Sequence, residues 1–183
     1  MSPASLLLER IGALIQQSVR DDAARHGLLP IHIQVLHYLA QANRYSDLPI
    51  AIAEYFGITR GTVSQTLALL ERKGLVRKQA DPKHGKRVHL SLTPAGASML
   101  AASWAERVEQ ALASAPALES SLRQLLGALQ QVNGQRAFGL CRQCAHFVEE
   151  PLSHRCGLTG EPLASEQTVR ICREWKAPAA LPA

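Results

Sequence analysis

Residues 57–93 read GITRGTVSQTLALLERKGLVRKQADPKHGKRVHLSLT. Thr59 can accept hydrogen bonds from the free N–H groups of a helix start, with Ile58 before it in a staple position. Val63, Leu67 and Leu70 then recur at helical spacing, which gives the helix one apolar, buried face. Gly74 stands where a left-handed residue ends a helix. Two short runs follow, Leu75 to Ala80 and Val88 to Leu92. The second alternates Val88, Leu90 and Leu92 with His89 and Ser91, as a half-buried strand does. Between them, Asp81-Pro82-Lys83-His84-Gly85-Lys86-Arg87 is a turn-rich, basic hairpin tip.

A helix followed by a basic-tipped hairpin is a winged helix-turn-helix, so the predicted class is mainly α with a small β-wing. The helix face opposite the apolar stripe carries Arg60, Gly61, Thr62, Ser64, Gln65 and Ala68. These groups are small or hydrogen-bonding and not acidic, which suits close approach to a major groove. Arg60, Thr62, Ser64 and Gln65 are the expected base readers, and Lys83, Lys86 and Arg87 the expected phosphate or minor-groove contacts. A solvated amphipathic helix with a basic loop is the competing reading. Helix and wing together favour double-stranded DNA.

At 183 residues the chain suits one core domain with a small addition, and 46% hydrophobic content is ordinary for a globular protein. With 4% aromatics, the core is built mostly from Leu, Ala, Val and Ile. The net charge is +5, and seven of twenty Lys and Arg fall between Arg72 and Arg87 against one acid, Asp81. That concentration points to a polyanionic partner. No apolar run is long enough to span a membrane, and Leu6-Leu7-Leu8 ends at Glu9-Arg10 without a signal-type region. A cytoplasmic location is expected, where four cysteines stay reduced and favour metal over disulfides.

Taken in order, residues 4–25 form a helix with Leu7, Ile11, Leu14, Ile15 and Val19 on one stripe, closed by His26-Gly27. A second helix runs from Pro30 to about Asn43 through Ile33, Leu36, His37 and Ala40; His32 and His37 read as ordinary helix residues. Asp47 is placed to cap a third, Leu48 to Phe56, and Gly57 turns into the recognition helix. Thr93 with Pro94 starts a long helix expected to reach Ala115 before Pro116 breaks it. Leu118, Leu122, Leu125, Leu126, Leu129 and Val132 form a last stripe ending at Asn133-Gly134.

The central run resembles the MarR family of winged-helix transcriptional regulators. The matching residues are Ile58-Thr59-Arg60-Gly61-Thr62-Val63-Ser64, Leu70-Glu71-Arg72-Lys73-Gly74-Leu75-Val76, Asp81 with Arg87, and Leu90-Ser91-Leu92-Thr93-Pro94-Ala95-Gly96. The family wing usually has an Arg where Lys83 stands, which keeps the charge but loses the planar fork. The resemblance covers residues 5–136. It implies a homodimer, with terminal helices pairing (about 4–25 and 94–136) around a DNA-binding unit at about 30–93, and an Asp81–Arg87 brace in the wing.

The four cysteines lie in residues 137–176, ahead of a flexible tail at 177–183, with spacing C-x2-C-x11-C-x15-C at Cys141, Cys144, Cys156 and Cys172. So small a piece needs a staple. Buried free thiols and oxidised pairs are the bland alternatives. Zinc usually takes two knuckles, and Cys156 and Cys172 form no second one, although His146 and His154 could substitute. A [4Fe–4S] cluster takes four thiolates from separated loops, and Phe147, Leu158, Leu163, Val169, Ile171 and Trp175 could supply its dry shell. The segment also resembles the cluster-binding part of high-potential iron–sulfur proteins, through Cys141-Arg142-Gln143-Cys144-Ala145-His146-Phe147, Cys156-Gly157-Leu158 and Cys172-Arg173-Glu174-Trp175. The [4Fe–4S] reading is favoured and zinc stays open.

Three functions follow. One is a DNA-binding regulator whose affinity is set by a cluster sensing redox state or iron, with the state reaching DNA through dimer geometry. The second is a small-molecule-responsive regulator with a structural zinc tail. The third is an electron-transfer protein on a winged-helix scaffold. No nucleophile–base pair, phosphate loop or paired-carboxylate motif supports an enzyme.

Overall fold

Ser5 N–H donates to Ser2 Oγ at 3.2 Å, which starts α1 (Pro3–Arg25) of the computed structural model. The structure describes residues 2–82, 85, 87–101, 103–115 and 117–178. Next come α2 (Pro30–Gln41), α3 (Pro49–Phe56), α4 (Arg60–Arg72), β1 (Val76–Ala80) and β2 (Val88–Leu92). Then follow α5 (Pro94–Met99), α6 (Trp104–Leu112) and α7 (Leu118–Val132). Four of these helices begin with proline after an extended residue, where its missing N–H costs nothing. Gly57 ends α3 in the left-handed region (φ 63°), which lets the chain turn at once into α4.

The core gathers Ile33 and Leu36 of α2, Ile52 of α3, Val63, Leu67 and Leu70 of α4, and Leu90 of β2. Fully burying each such side chain is worth about 1.5–3 kcal/mol. The wing is an antiparallel pair with Val76 opposite Leu92 and Ala80 opposite Val88.

Two expectations fail here. The single helix predicted from Thr93 to Ala115 is two, α5 and α6, broken between Met99 and Trp104. The cause is buried Asp22 of α1. Its carboxylate accepts the Trp104 N–H at 2.6 Å and meets Arg107 and Arg25, so a new helix starts against it. Asp47 does not cap α3 either; the cap residue is Leu48, and the Asp47 side chain turns to the wing. Pro116 lies outside the described residues.

After α7 the chain builds a small β-rich segment. β3 (Gly139–Leu140) pairs with β7 (Ile171–Cys172), and β4 (Phe147–Glu150), β5 (Ser153–Cys156) and β6 (Pro162–Leu163) make a three-stranded sheet. A 3-10 turn at Cys141–Gln143 and a short α8 (Ser165–Thr168) complete it. Phe138, just ahead of β3, is buried in the main core, edge-on to Tyr55 at 5.2 Å.

Apolar side chains remain uncovered on the helices predicted to dimerise. Leu7, Ile11 and Leu14 of α1 and Leu122, Leu126, Leu129 and Val132 of α7 are all exposed. Among the described residues, no helix is long and apolar enough to cross a membrane.

Candidate nucleic-acid interface and cysteine site

Thr59 Oγ1 accepts the Thr62 N–H at 3.1 Å and shares a 3.0 Å hydrogen bond with Thr62 Oγ1. That cap fixes the start of α4 and aims its N-terminal turn outward. Val63, Leu67 and Leu70 are buried, while Arg60, Thr62, Ser64 and Gln65 are exposed together. The Thr62 hydroxyl is therefore already engaged by the cap, whereas Arg60, Ser64 and Gln65 stand clear of it. Between α4 and the wing lies a hollow of about 510 Å³ floored by Ile50, Val63, Leu67 and Val88 and edged by Arg60, Ser64 and Lys78. Arg87 is exposed at the base of the wing tip; Lys83 and Lys86 lie outside the described residues.

A histidine and a lysine tie the wing to the helix-turn-helix, the latter through Lys78 Nζ to Glu71 Oε2 at 2.7 Å. His89 Nδ1 meets Asp47 Oδ1 at 2.6 Å, and His89 Nε2 meets Asp81 Oδ2 at 3.3 Å. Leu90 N–H donates to Asp47 O at 2.8 Å alongside. Burial disfavours the charged ring, but the two carboxylates outweigh it and raise the His89 pKa. Asp81 and Arg87 do meet, through the Asp81 N–H and the Arg87 carbonyl at 2.9 Å.

The four cysteines converge. Cys141, Cys156 and Cys172 are buried together with Leu163, and Phe147, Trp175 and Tyr45 pack on them. Burial first, and then the other three cysteines, push the Cys141 thiol up to about 12. Four thiolates cannot gather here without a cation to offset them. N–H groups nevertheless point at two of the sulfurs. His146 and Lys176 N–H donate to Cys144 Sγ at 3.5 and 3.4 Å. Burial holds the Cys172 thiol above its usual range, while the Asn43 side chain and the Glu174 N–H beside it pull the other way. Asn43 Nδ2 itself is buried without a hydrogen-bond partner. This donor set suits thiolate ligands. Among the described residues, no three or more His, Cys, Asp or Glu are grouped so as to hold a single metal ion. His154 lies on the Phe147 ring at 5.3 Å.

The apolar shell is smaller than expected. Phe147, Leu163 and Trp175 line it, but Leu158 and Val169 are half exposed, and Ile171 packs on the main core instead. The segment is also anchored differently. It touches α7, where Gln143 meets Arg123 and Glu119, but its main attachment is the corner between α2 and α3. Asn43 N–H donates to Ile171 O at 3.0 Å, and Arg44 N–H to Gln167 Oε1 at 3.0 Å. The Tyr45 hydroxyl reaches Glu161 at 2.8 Å, and Arg173 N–H donates to Ser46 Oγ at 2.7 Å. The Arg173 guanidinium grips both oxygens of Glu54 on α3, at 2.6 and 2.8 Å. The run Asn43-Arg44-Tyr45-Ser46-Asp47 reads in sequence as a polar loop and no more. Its one signal is an aromatic, Tyr45, where loops usually carry small residues.

Residues 26–87 match the sequence model of the MarR family. This unit has a winged-helix fold, similar over those residues to the MarR family. The fold agrees with solved structures. S. aureus MepR in its DNA-binding conformation superposes with a TM-score of 0.61 at 24% identity, covering 70% of this chain and 100% of that one. CouR from Rhodococcus jostii RHA1, bound to p-coumaroyl-CoA, gives 0.53 at 21% identity over 72% of this chain and 92% of that one. BldR from Sulfolobus solfataricus, a transcriptional regulator, gives 0.51 at 23% identity over 72% and 99%. No curated protein matches the chain in sequence.

Proposed function

We propose that this chain is a homodimeric, MarR-type transcriptional regulator that reads double-stranded DNA. Cys141, Cys144, Cys156 and Cys172 would hold one [4Fe–4S] cluster whose presence sets DNA affinity. The observation that carries the DNA reading is the exposed N-terminal face of α4, with Arg60, Ser64 and Gln65 clear of the cap and Arg87 exposed on the wing. The MarR match over residues 26–87 and the DNA-binding conformation of MepR support it. The uncovered leucines of α1 and α7 support a dimer, because an apolar face of that extent needs a partner. Two-fold symmetry would set the recognition helices about one DNA turn apart on a near-palindromic site.

For the cysteines, the support is four sulfurs within Coulombic reach of one another, with N–H donors on Cys144. When bound, such a cluster supplies an electron-transfer couple and an oxidation-sensitive cross-link. The chain's part is to shield it with Phe147, Leu163 and Trp175 and to hold its ligands by N–H donors.

Anaerobically purified protein should be brown, contain iron and sulfide, elute as a dimer and bind a duplex selected from a random pool. Colourless protein with one zinc would remove the cluster, and a monomer that still binds specifically would remove the dimer.

One further observation favours an additional effector. A cavity of about 760 Å³ lies between α7, α3 and the cysteine segment, lined in part by Tyr55, Leu122, Leu126 and Phe138. It has the size and apolar lining of a small-molecule site, and CouR was solved with a bound acyl-CoA. A thermal-shift screen of apolar acids and thioesters against Leu126→Trp, which fills the cavity, would separate the two forms of control.

A further inference from the structure

The loop Asn43–Asp47 touches the cysteine site at one end and the wing at the other. At the cysteine end, Asn43 lies against Cys172, and Ser46 Oγ accepts the N–H of Arg173, the next residue. Inside the loop, Ser46 Oγ donates to Asn43 Oδ1 at 3.0 Å, Tyr45 N–H donates to the same oxygen at 3.0 Å, and Asp47 N–H donates to Asn43 O at 3.0 Å. At the far end Asp47 holds His89 through its carboxylate and Leu90 through its carbonyl. Asn43 is 1% exposed and Ser46 0%, so water cannot replace a broken link.

We propose that residues 43–47 are a strap that carries occupancy of the cysteine site to the wing, and so to DNA. The inference rests on reading the four cysteines as ligands of one group. Its physical basis is a contact that differs between the two states. A ligating Cys172 sulfur carries negative charge and offers an acceptor to the Asn43 amide, whose Nδ2 is buried here without a hydrogen-bond partner. Asn43 Oδ1 is shared by Ser46 and Tyr45, so a shift of the amide moves both. Asp47 hangs on the Asn43 carbonyl and takes His89 and Leu90 with it. A second link runs from Arg173 to Glu54 on α3, the helix just before the recognition helix. State therefore reaches the wing and α3 within one protomer, by packed and bonded groups, without passing through the dimer helices.

The experiment uses the full chain, anaerobically purified, before and after metal removal with a chelator. Affinity is read by fluorescence anisotropy on a duplex selected in vitro by the loaded wild type. The wild type is expected to lose about tenfold or more in affinity on depletion, within the usual range of coupling between sites. Ser46→Ala, with its iron and sulfide content intact, is expected to cut that ratio to about threefold or less. Hydrogen exchange in the wild type needs no variant, and loading should protect residues 43–47 and 88–92 together. If Ser46→Ala keeps the full ratio, or if loading protects 139–176 but leaves 88–92 unchanged, the strap is wrong while the sensor reading stands. If the wild type binds DNA equally well in both states, the sensor reading falls and the strap with it.

Discussion

The winged-helix unit coheres mainly through aliphatic side chains that meet across helices; most of its polar groups act locally, as caps and turns, with Asp22 and His89 reaching farther. The cysteine segment inverts that plan. Its own interior is three buried cysteines and a leucine, and, beyond Phe138 and Ile171 in the main core, it is attached by hydrogen bonds and ion pairs to residues about 120 positions away. A core of Ile33, Leu36, Ile52 and Leu70 is stable wherever water is excluded. On the proposed reading, a core of thiols beside a buried amide depends on a bound ligand, whereas the helical core persists without one.

The largest expected effect tests that dependence. Cys156→Ser should abolish metal retention and free residues 139–176 to exchange and proteolysis, while the winged helix stays folded. A cysteine segment as protected as in the wild type would mean that its polar anchors suffice. Next in size is Leu70→Ala. A fully buried leucine at the centre of the helical core should cost about 2–5 kcal/mol of stability. The thermal transition of the winged helix should move while metal retention does not. If both move in parallel, the regions are one cooperative unit and the contrast drawn above is wrong.

Smaller effects sharpen the comparison at the surface. Gln65→Ala should relax preference at one base position by about 1–3 kcal/mol, leaving affinity for random DNA unchanged; equal losses on both would remove Gln65 as a base reader. Glu54→Gln removes one side of the Arg173 clamp. Arg173 depresses the Glu54 pKa first by hydrogen bonding, but the pair is partly exposed and screened, so its loss should cost only about 1 kcal/mol. Exchange should rise at residues 171–176 and not in α4.

Legibility in the sequence followed the same divide. α4, its Thr59 cap, the Gly57 turn, both wing strands and the exposed polar face of α4 could be read, because each rests on periodicity or a cap within a few residues. The break before Trp104 could not be, since it is caused by Asp22, far away on α1. Nor could the docking of the cysteine segment on residues 43–47. Ser46 and Asp47 look like ordinary turn residues, and what gives them a role is a backbone N–H at Arg173 and a ring at His89. The spacing of four cysteines suggested a bound group, but not which helices it would rest against.

The smallest expected effect concerns His89, which ties the wing to the helix-turn-helix through Asp47. Burial opposes its charge, Asp47 and Asp81 outweigh burial, and its folded pKa is raised above the ordinary value of about 6.5. A raised histidine stabilises the fold fully below its unfolded pKa, and that contribution is lost as pH rises through the folded value. The wing is thus held best at mildly acidic pH and loosens on the alkaline side. Burial also raises Asp47, so the pair is lost again at an acidity where an ordinary aspartate would still be charged. DNA affinity at constant salt should decline with rising pH through the His89 transition by roughly two- to fivefold, the scale of a partly screened ion pair. His89→Gln should flatten the profile while keeping a hydrogen bond to Asp47. A wild-type profile as flat as that of the variant would show that the wing's grip on DNA does not depend on this bridge, and the far end of the proposed strap would then rest on the Leu90 N–H to Asp47 carbonyl bond alone.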